Sequence, residues 1–206
     1  AIAFMLLYRL AEALMLKVSG PFLLAPLTEG GLGMSTKAVG IATGTTGVIA
    51  LLLGGILGGV CIARRGLKFW LWPMALALTL PGLVYCYMAM AQPQSAWIVN
   101  ACIGFEQMGY GFGFTAFMMY LIYFCEGPYK TSHYAFCTAF MALGMMLPGM
   151  AAGWIHEQVS QWQIWGTDAQ GYINYFWLVM LCSVSTYIVC AMVKVAPDFG
   201  KAAQRS

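Results

Sequence analysis

Arg9, Glu12, Lys17 and Glu106 are ionisable residues set inside long apolar runs, where the chain carries few others. A charge at mid-bilayer costs about 2.5–3.5 kcal/mol on insertion scales, so each needs a reason. Arg9 and Glu12 are three residues apart and share one helix face, where they can pair. Two roles stand open for them: mutual neutralisation that stitches a bundle, or a polar site facing a central cavity. Glu106 lies near the middle of a different run and has no partner within it, which suits a proton-coupling or substrate-binding carboxylate. Lys17 sits deep in the first run, roughly 80° round the helix from Arg9, and can snorkel outward. Tyr8, Gln107, Tyr110 and Tyr120 bring hydroxyl and amide groups near these charges, with Asn100 in the same run as Glu106.

The elements that position these residues follow from composition. Of 206 residues, 61% are hydrophobic and 8% charged, and the mean hydropathy is +0.77. A soluble domain carries about 25% charged residues, so this chain cannot coat a water-facing globule. A spanning helix needs about 20 mostly apolar residues, and six segments qualify: 2–25, 36–63, 69–91, 96–124, 132–155 and 172–195. Continuous apolar runs exclude membrane strands, which alternate. The expected fold is an all-α polytopic bundle of six transmembrane helices, one domain over 1–206. The seven cysteines are scattered through apolar segments with no CxxC pair and read as small buried hydrophobes. No metal, cofactor or nucleic-acid partner is expected.

Basic residues set the orientation. Arg64, Arg65, Lys68, Lys130, Lys194, Lys201 and Arg205 fall on one side, whereas Lys37 stands beside Glu29, Glu157 and Asp168 on the other. The positive-inside rule puts both termini in the cytoplasm. His133 then falls at the cytoplasmic interface, and Trp162 and Trp165, in an expected loop from 156 to 171, at the opposite one. Small residues recur every four positions at Gly40, Gly44, Gly54, Gly58, Gly109, Gly113, Gly149 and Gly153, a spacing that lets backbones approach closely. Pro21, Pro73, Pro81 and Pro148 should bend or soften their helices. Gly109-Tyr110-Gly111-Phe112-Gly113 imitates a phosphate loop, but such a loop follows a strand and opens a helix. The first run is long and leads only to more membrane, so it reads as a mature spanning helix of a longer protein.

The stretch from Gly59 through Arg64, Arg65, Gly66 and Leu67 to Lys68 resembles the cytoplasmic signature loop of the major facilitator superfamily. Gly59, Arg64, Gly66 and Lys68 match. Ala63 replaces the acid and Leu67 a basic residue, which puts the loop's charge lock in doubt. A wider resemblance, to the anhydromuropeptide permeases and related acetyl-coenzyme A transporters, rests on three stretches. These are Leu6-Leu7-Tyr8-Arg9-Leu10-Ala11-Glu12 followed by Pro21-Phe22, then Phe105-Glu106-Gln107 with its glycine-rich continuation, and His133-Tyr134-Ala135 through Ala152-Gly153-Trp154. The resemblance implies the C-terminal half of a twelve-helix inner-membrane transporter, with an N-terminal six-helix half as partner. It further implies proton-driven import of a cell-wall sugar-peptide or similar polar solute by alternating access. Arg9 and Lys17 would meet substrate carboxylates and Glu106 would carry or gate the proton. The alternatives are a drug or metabolite exporter of the same superfamily, a membrane-embedded enzyme, and a non-transporting receptor or scaffold. An enzyme is disfavoured because two histidines far from any acid pair supply no catalytic cluster.

Overall fold

A computed structural model describes residues 2–162, 164 and 171–201. Trp165, Asp168 and Arg205, used above for the interface and the charge balance, lie outside the described residues. Six helical rods are present among the described residues: α1 (2–24), α2 (Thr36–Arg65), α3 (Leu67–Ala91), α4 (Ala96–Phe124), α5 (Lys130–Ser160) and α6 (Gly171–Met192). The all-α membrane bundle anticipated from hydropathy is the observed architecture.

The bounds differ from the expected spans in instructive places. α5 continues to Ser160, so the expected loop at 156 begins later. α6 stops at Met192, and the next three residues leave the helix. Length and hydropathy mark α2, α3, α5 and α6 as membrane-crossing on their own. The two that fall short are the two bearing the ionisable residues. α1 is cut into Ile2–Leu7 and Leu10–Leu24. α4 has the length, 29 residues, but glycines, Glu106, Gln107 and tyrosines dilute it.

The packing is interlocked. α4 lies against α2 and α3, whereas α1 lies against α5 and α6. Each first helix of a consecutive trio thus packs on the second and third helices of the other trio. Glycines permit the approach to α4. A methyl on Gly54 would sit 2.1 Å from the Met108 carbonyl oxygen, and one on Gly111 would sit 2.2 Å from that of Leu51. Gly109 and Gly113 do the same against α3, at 2.4 Å and 2.5 Å from the carbonyl oxygens of Ala77 and Met74. No larger residue fits at these crossings.

Several helices are irregular. α2 contains a π-helical stretch, Gly40–Gly47, whose Thr46 hydroxyl donates to Asn100 Oδ1 at 3.1 Å. α3 tightens into a 3-10 turn at Leu80–Gly82, around Pro81. α6 is interrupted at Ser183. α5, by contrast, runs through Pro148 unbroken.

Candidate functional site

The breaks in α1, α3 and α6 converge on one cavity of about 80 Å³. Tyr8 from the break in α1, Thr79 and Gly82 from that in α3, and Ser183 and Thr186 from α6 all line it. Glu12 and Ser19 of α1, Tyr85 of α3, and Glu106, Gln107 and Tyr110 of α4 complete its polar wall. Irregular backbone at membrane depth is tolerated where it is buried in protein or lines a hydrated cavity, because a free backbone group in lipid costs several kcal/mol. The structure meets that demand with side chains from a neighbouring helix. Thr186 Oγ1 donates to the Tyr8 carbonyl at 2.9 Å, and Ser185 Oγ to that of Leu7 at 3.2 Å. Thr79 is hydrogen-bonded to Tyr187, which joins α3 to α6. Each water needs roughly 10–15 Å³ of such space, so the cavity admits a small cluster of waters. Ligand pockets for larger molecules run to about 300–1,000 Å³. The volume therefore suits water and protons rather than a sugar-peptide.

Arg9 lies behind the wall formed by Glu12 and Tyr110 and is bonded to both. Its Nε and one terminal nitrogen donate to the two Glu12 oxygens at 2.8 and 2.6 Å, and the same terminal nitrogen reaches the Tyr110 hydroxyl at 2.7 Å. The guanidinium lies over the Phe114 ring, 4.5 Å from its centroid, with the Tyr110 ring at 5.6 Å. Only 8% of the Arg9 side chain and 13% of Glu12 remain exposed. A planar cation with a bidentate carboxylate and an aromatic face satisfies both of its chemistries at once. Of the two roles left open by the sequence, this geometry favours the stitching pair.

Glu106 differs. Gln107 Nε2 donates to it at 2.9 Å, and no cation lies within salt-bridge distance of it among the described residues. Tyr110, one turn further along α4, stands between Glu106 and the Arg9–Glu12 pair, and all three acidic or phenolic groups wall the same cavity. A carboxyl facing a small cavity, with no fixed counter-charge among the described residues, can gain and lose a proton without breaking an ion pair.

No family model matches the chain. The anhydromuropeptide permease of Escherichia coli K12 is 25% identical over 151 residues, covering 73% of this chain and 30% of the permease. An uncharacterised Haemophilus influenzae protein is 21% identical over 159 residues, covering 74% of this chain and 35% of its own length. A Rickettsia prowazekii protein bearing the transporter name AmpG 1 is 19% identical over 191 residues, covering 93% of this chain and 39% of that protein. The chain is thus similar, at low identity, to the anhydromuropeptide permease and to proteins named as transporters. It spans about a third of the length of the curated relatives it matches.

The other residues singled out from the sequence fall in different places. Tyr120 is apart from the cavity: it is buried against Phe4, ring centroids 4.4 Å apart, in the apolar cluster at the far end of α4. Lys17 does not line the cavity either. Its stem lies along Gly149 of α5, with Cε 3.0 Å from where a methyl would be, and it faces outward. Gly59 has open space beside it, Gly66 adopts φ +83° between α2 and α3, and Arg64 and Lys68 are exposed. Sequence reasoning missed Ser19, Thr79, Tyr85, Ser183 and Thr186. For Ser19 and Thr79 the signal was a hydroxyl inside an apolar run beside a helix breaker, Ser19-Gly20-Pro21 and Thr79-Leu80-Pro81-Gly82; Tyr85, Ser183 and Thr186 carry no such mark.

Proposed function

We propose that this chain forms the C-terminal six-helix half of a twelve-helix major facilitator transporter that imports a cell-wall sugar-peptide, or a similar polar solute, coupled to protons. The single observation that carries the reading is the water-sized cavity at the meeting point of three broken helices, with Glu106 facing it and, among the described residues, no cation in salt-bridge reach of it. In this reading Glu106 carries the coupling proton. Arg9, Glu12 and Tyr110 shape the wall beside it and hold α1 to α4. The solute itself, too large for this space, would bind between this half and the N-terminal half, where Lys17 is exposed to meet a carboxylate.

Two further features support it. The interlocked packing of α1 on α5 and α6, and of α4 on α2 and α3, fits the nested three-helix repeats of that superfamily. α2 and α5 bury only 22% and 17% of their apolar windows, against 50% and 39% for α3 and α6. Gly40, Gly44 and Gly59 on α2, and Gly153 on α5, have nothing within 4 Å of an added methyl. Such uncovered small residues are what a second helical half would pack against. The loops rich in Lys and Arg would face the cytoplasm of a cell with an inner membrane.

The test is uptake of a labelled anhydromuropeptide into proteoliposomes holding the complete protein. An imposed inward proton gradient should raise the initial rate at least tenfold. Uptake indifferent to the gradient would remove the coupling claim.

A further inference from the structure

α3 begins without the usual help. Its N-cap is Gly66, which has no side chain to accept the first free N–H groups of the helix. The loop before it is equally bare of charge pairing. Among the described residues no ion pair involves Arg64, Arg65 or Lys68, and Ala63 supplies no carboxylate.

The missing partner comes from the far end of the chain. After α6, residues 193–201 turn back across this loop. The Leu67 N–H, at the first position of α3, donates to the Phe199 carbonyl at 2.9 Å. The carbonyls of Pro197 and Phe199 both point at Gly66, 3.0 and 3.2 Å from where a side chain would start. Carbonyl oxygens placed at a helix N-terminus meet both its free donors and its positive dipole end. The Phe199 ring packs edge-on against Tyr123 of α4, centroids 4.7 Å apart, and Val195 is buried in the same cluster. Gly200 sits at φ +83°, with Ile62 of α2 2.7 Å from the position of an added methyl. Asp198 and Lys201 form an exposed ion pair that closes the turn, and Lys201 holds the Asp198 carboxyl below the usual carboxylate range.

We propose that residues 193–201 are a strap that caps α3 and ties the end of α6 to α2, α3 and α4, replacing by backbone and aromatic contacts a charge lock that this loop does not contain. The strap makes these four helix ends move as one body. Its contacts stand independently of any transport activity; its effect on transport rests on the function proposed above.

Hydrogen exchange at the amides of residues 66–69, followed by mass spectrometry on the complete protein, tests the strap. Phe199→Ala removes the aromatic anchor, and Gly200→Val collides with Ile62 while leaving every helix intact. Each should speed exchange at those amides about tenfold, with exchange in α5 unchanged, and should lower the rate of labelled anhydromuropeptide uptake without altering its KM. Asp198→Asn, at the exposed turn, should leave exchange as it is. Unchanged exchange in both strap variants would overturn the proposal. Faster exchange with unaltered uptake would reduce the strap to a helix cap and overturn its coupling role. If the wild-type protein takes up no anhydromuropeptide, the solute reading fails and the exchange comparison still decides on the strap.

Discussion

α1 and α4 carry polar groups inward, and α1 adds a broken turn, whereas α2 and α5 present Ile, Leu, Met and Phe outward along nearly their whole length. Leu52, Ile56 and Met150 are 59%, 64% and 79% exposed, yet Arg9 is 7% exposed. In water that distribution would be inverted. In a bilayer apolar surface is at no disadvantage facing the solvent, and the groups that must be hidden are charges and broken backbone. The contrast teaches that polarity rather than hydrophobicity marks the interior of this bundle. The helices that carry the buried ion pair and Glu106 are its structural centre.

Substitutions that strip a partner from the inner pair should have the largest effect. Glu12→Leu leaves the Arg9 guanidinium buried without its carboxylate and is expected to destabilise the protein by about 3–5 kcal/mol. The double change Arg9→Met with Glu12→Leu should recover most of that loss, as read from unfolding in detergent. Equal loss in single and double variants would mean that the pair is more than a mutual neutralisation. Next come the glycine crossings. Gly54→Ala forces a methyl toward the Met108 carbonyl and should cost about 1–3 kcal/mol. On the open side of the same helix, Gly59→Ala should change the stability of the six-helix unit by less than about 0.5 kcal/mol. Similar losses at both sites would erase the distinction between the inner and outer faces of α2.

Smaller effects sharpen the account of the broken helices. Thr186→Val removes the donor to the Tyr8 carbonyl and should cost about 1–2 kcal/mol, the desolvation of one buried backbone group. Lys17→Met should lie within about 0.5 kcal/mol of the wild type, because its head faces outward while its stem alone packs on Gly149. A loss at Lys17 comparable to that at Thr186 would place it in the inner network.

Hydropathy made six helices readable because spanning runs are long and continuous, and the three-residue spacing of Arg9 and Glu12 made their pairing readable as well. Pro81 marked the break in α3, but the sequence did not reveal the breaks in α1 and α6. α1 gives way at Tyr8 and Arg9, a place with neither Gly nor Pro, because Ser185 and Thr186 wait across the bundle to take the freed carbonyls. Pro148 does not interrupt α5, whereas α1 breaks with no proline at the break. Such outcomes depend on tertiary partners, which no local pattern encodes. Tyr110 and Tyr120 show the same limit: both are tyrosines of α4, yet the hydroxyl of one accepts a hydrogen bond from Arg9 and the other packs on Phe4. Their helical phase separates them by ten residues, and only the neighbouring helices decide which face is polar.

The central claim is that Glu106, which faces a water-sized cavity with no salt-bridge cation among the described residues, is the group that carries the coupling proton, while Arg9 and Glu12 hold the wall. The most direct measurement is proton movement during anhydromuropeptide uptake by proteoliposomes bearing the complete protein, followed with an internal pH dye, for the wild type and for Glu106→Gln. The account predicts that the wild type acidifies the lumen as solute enters. The variant should exchange labelled for unlabelled solute across the membrane and move no protons. Acidification by Glu106→Gln at the wild-type ratio of protons to solute would contradict it.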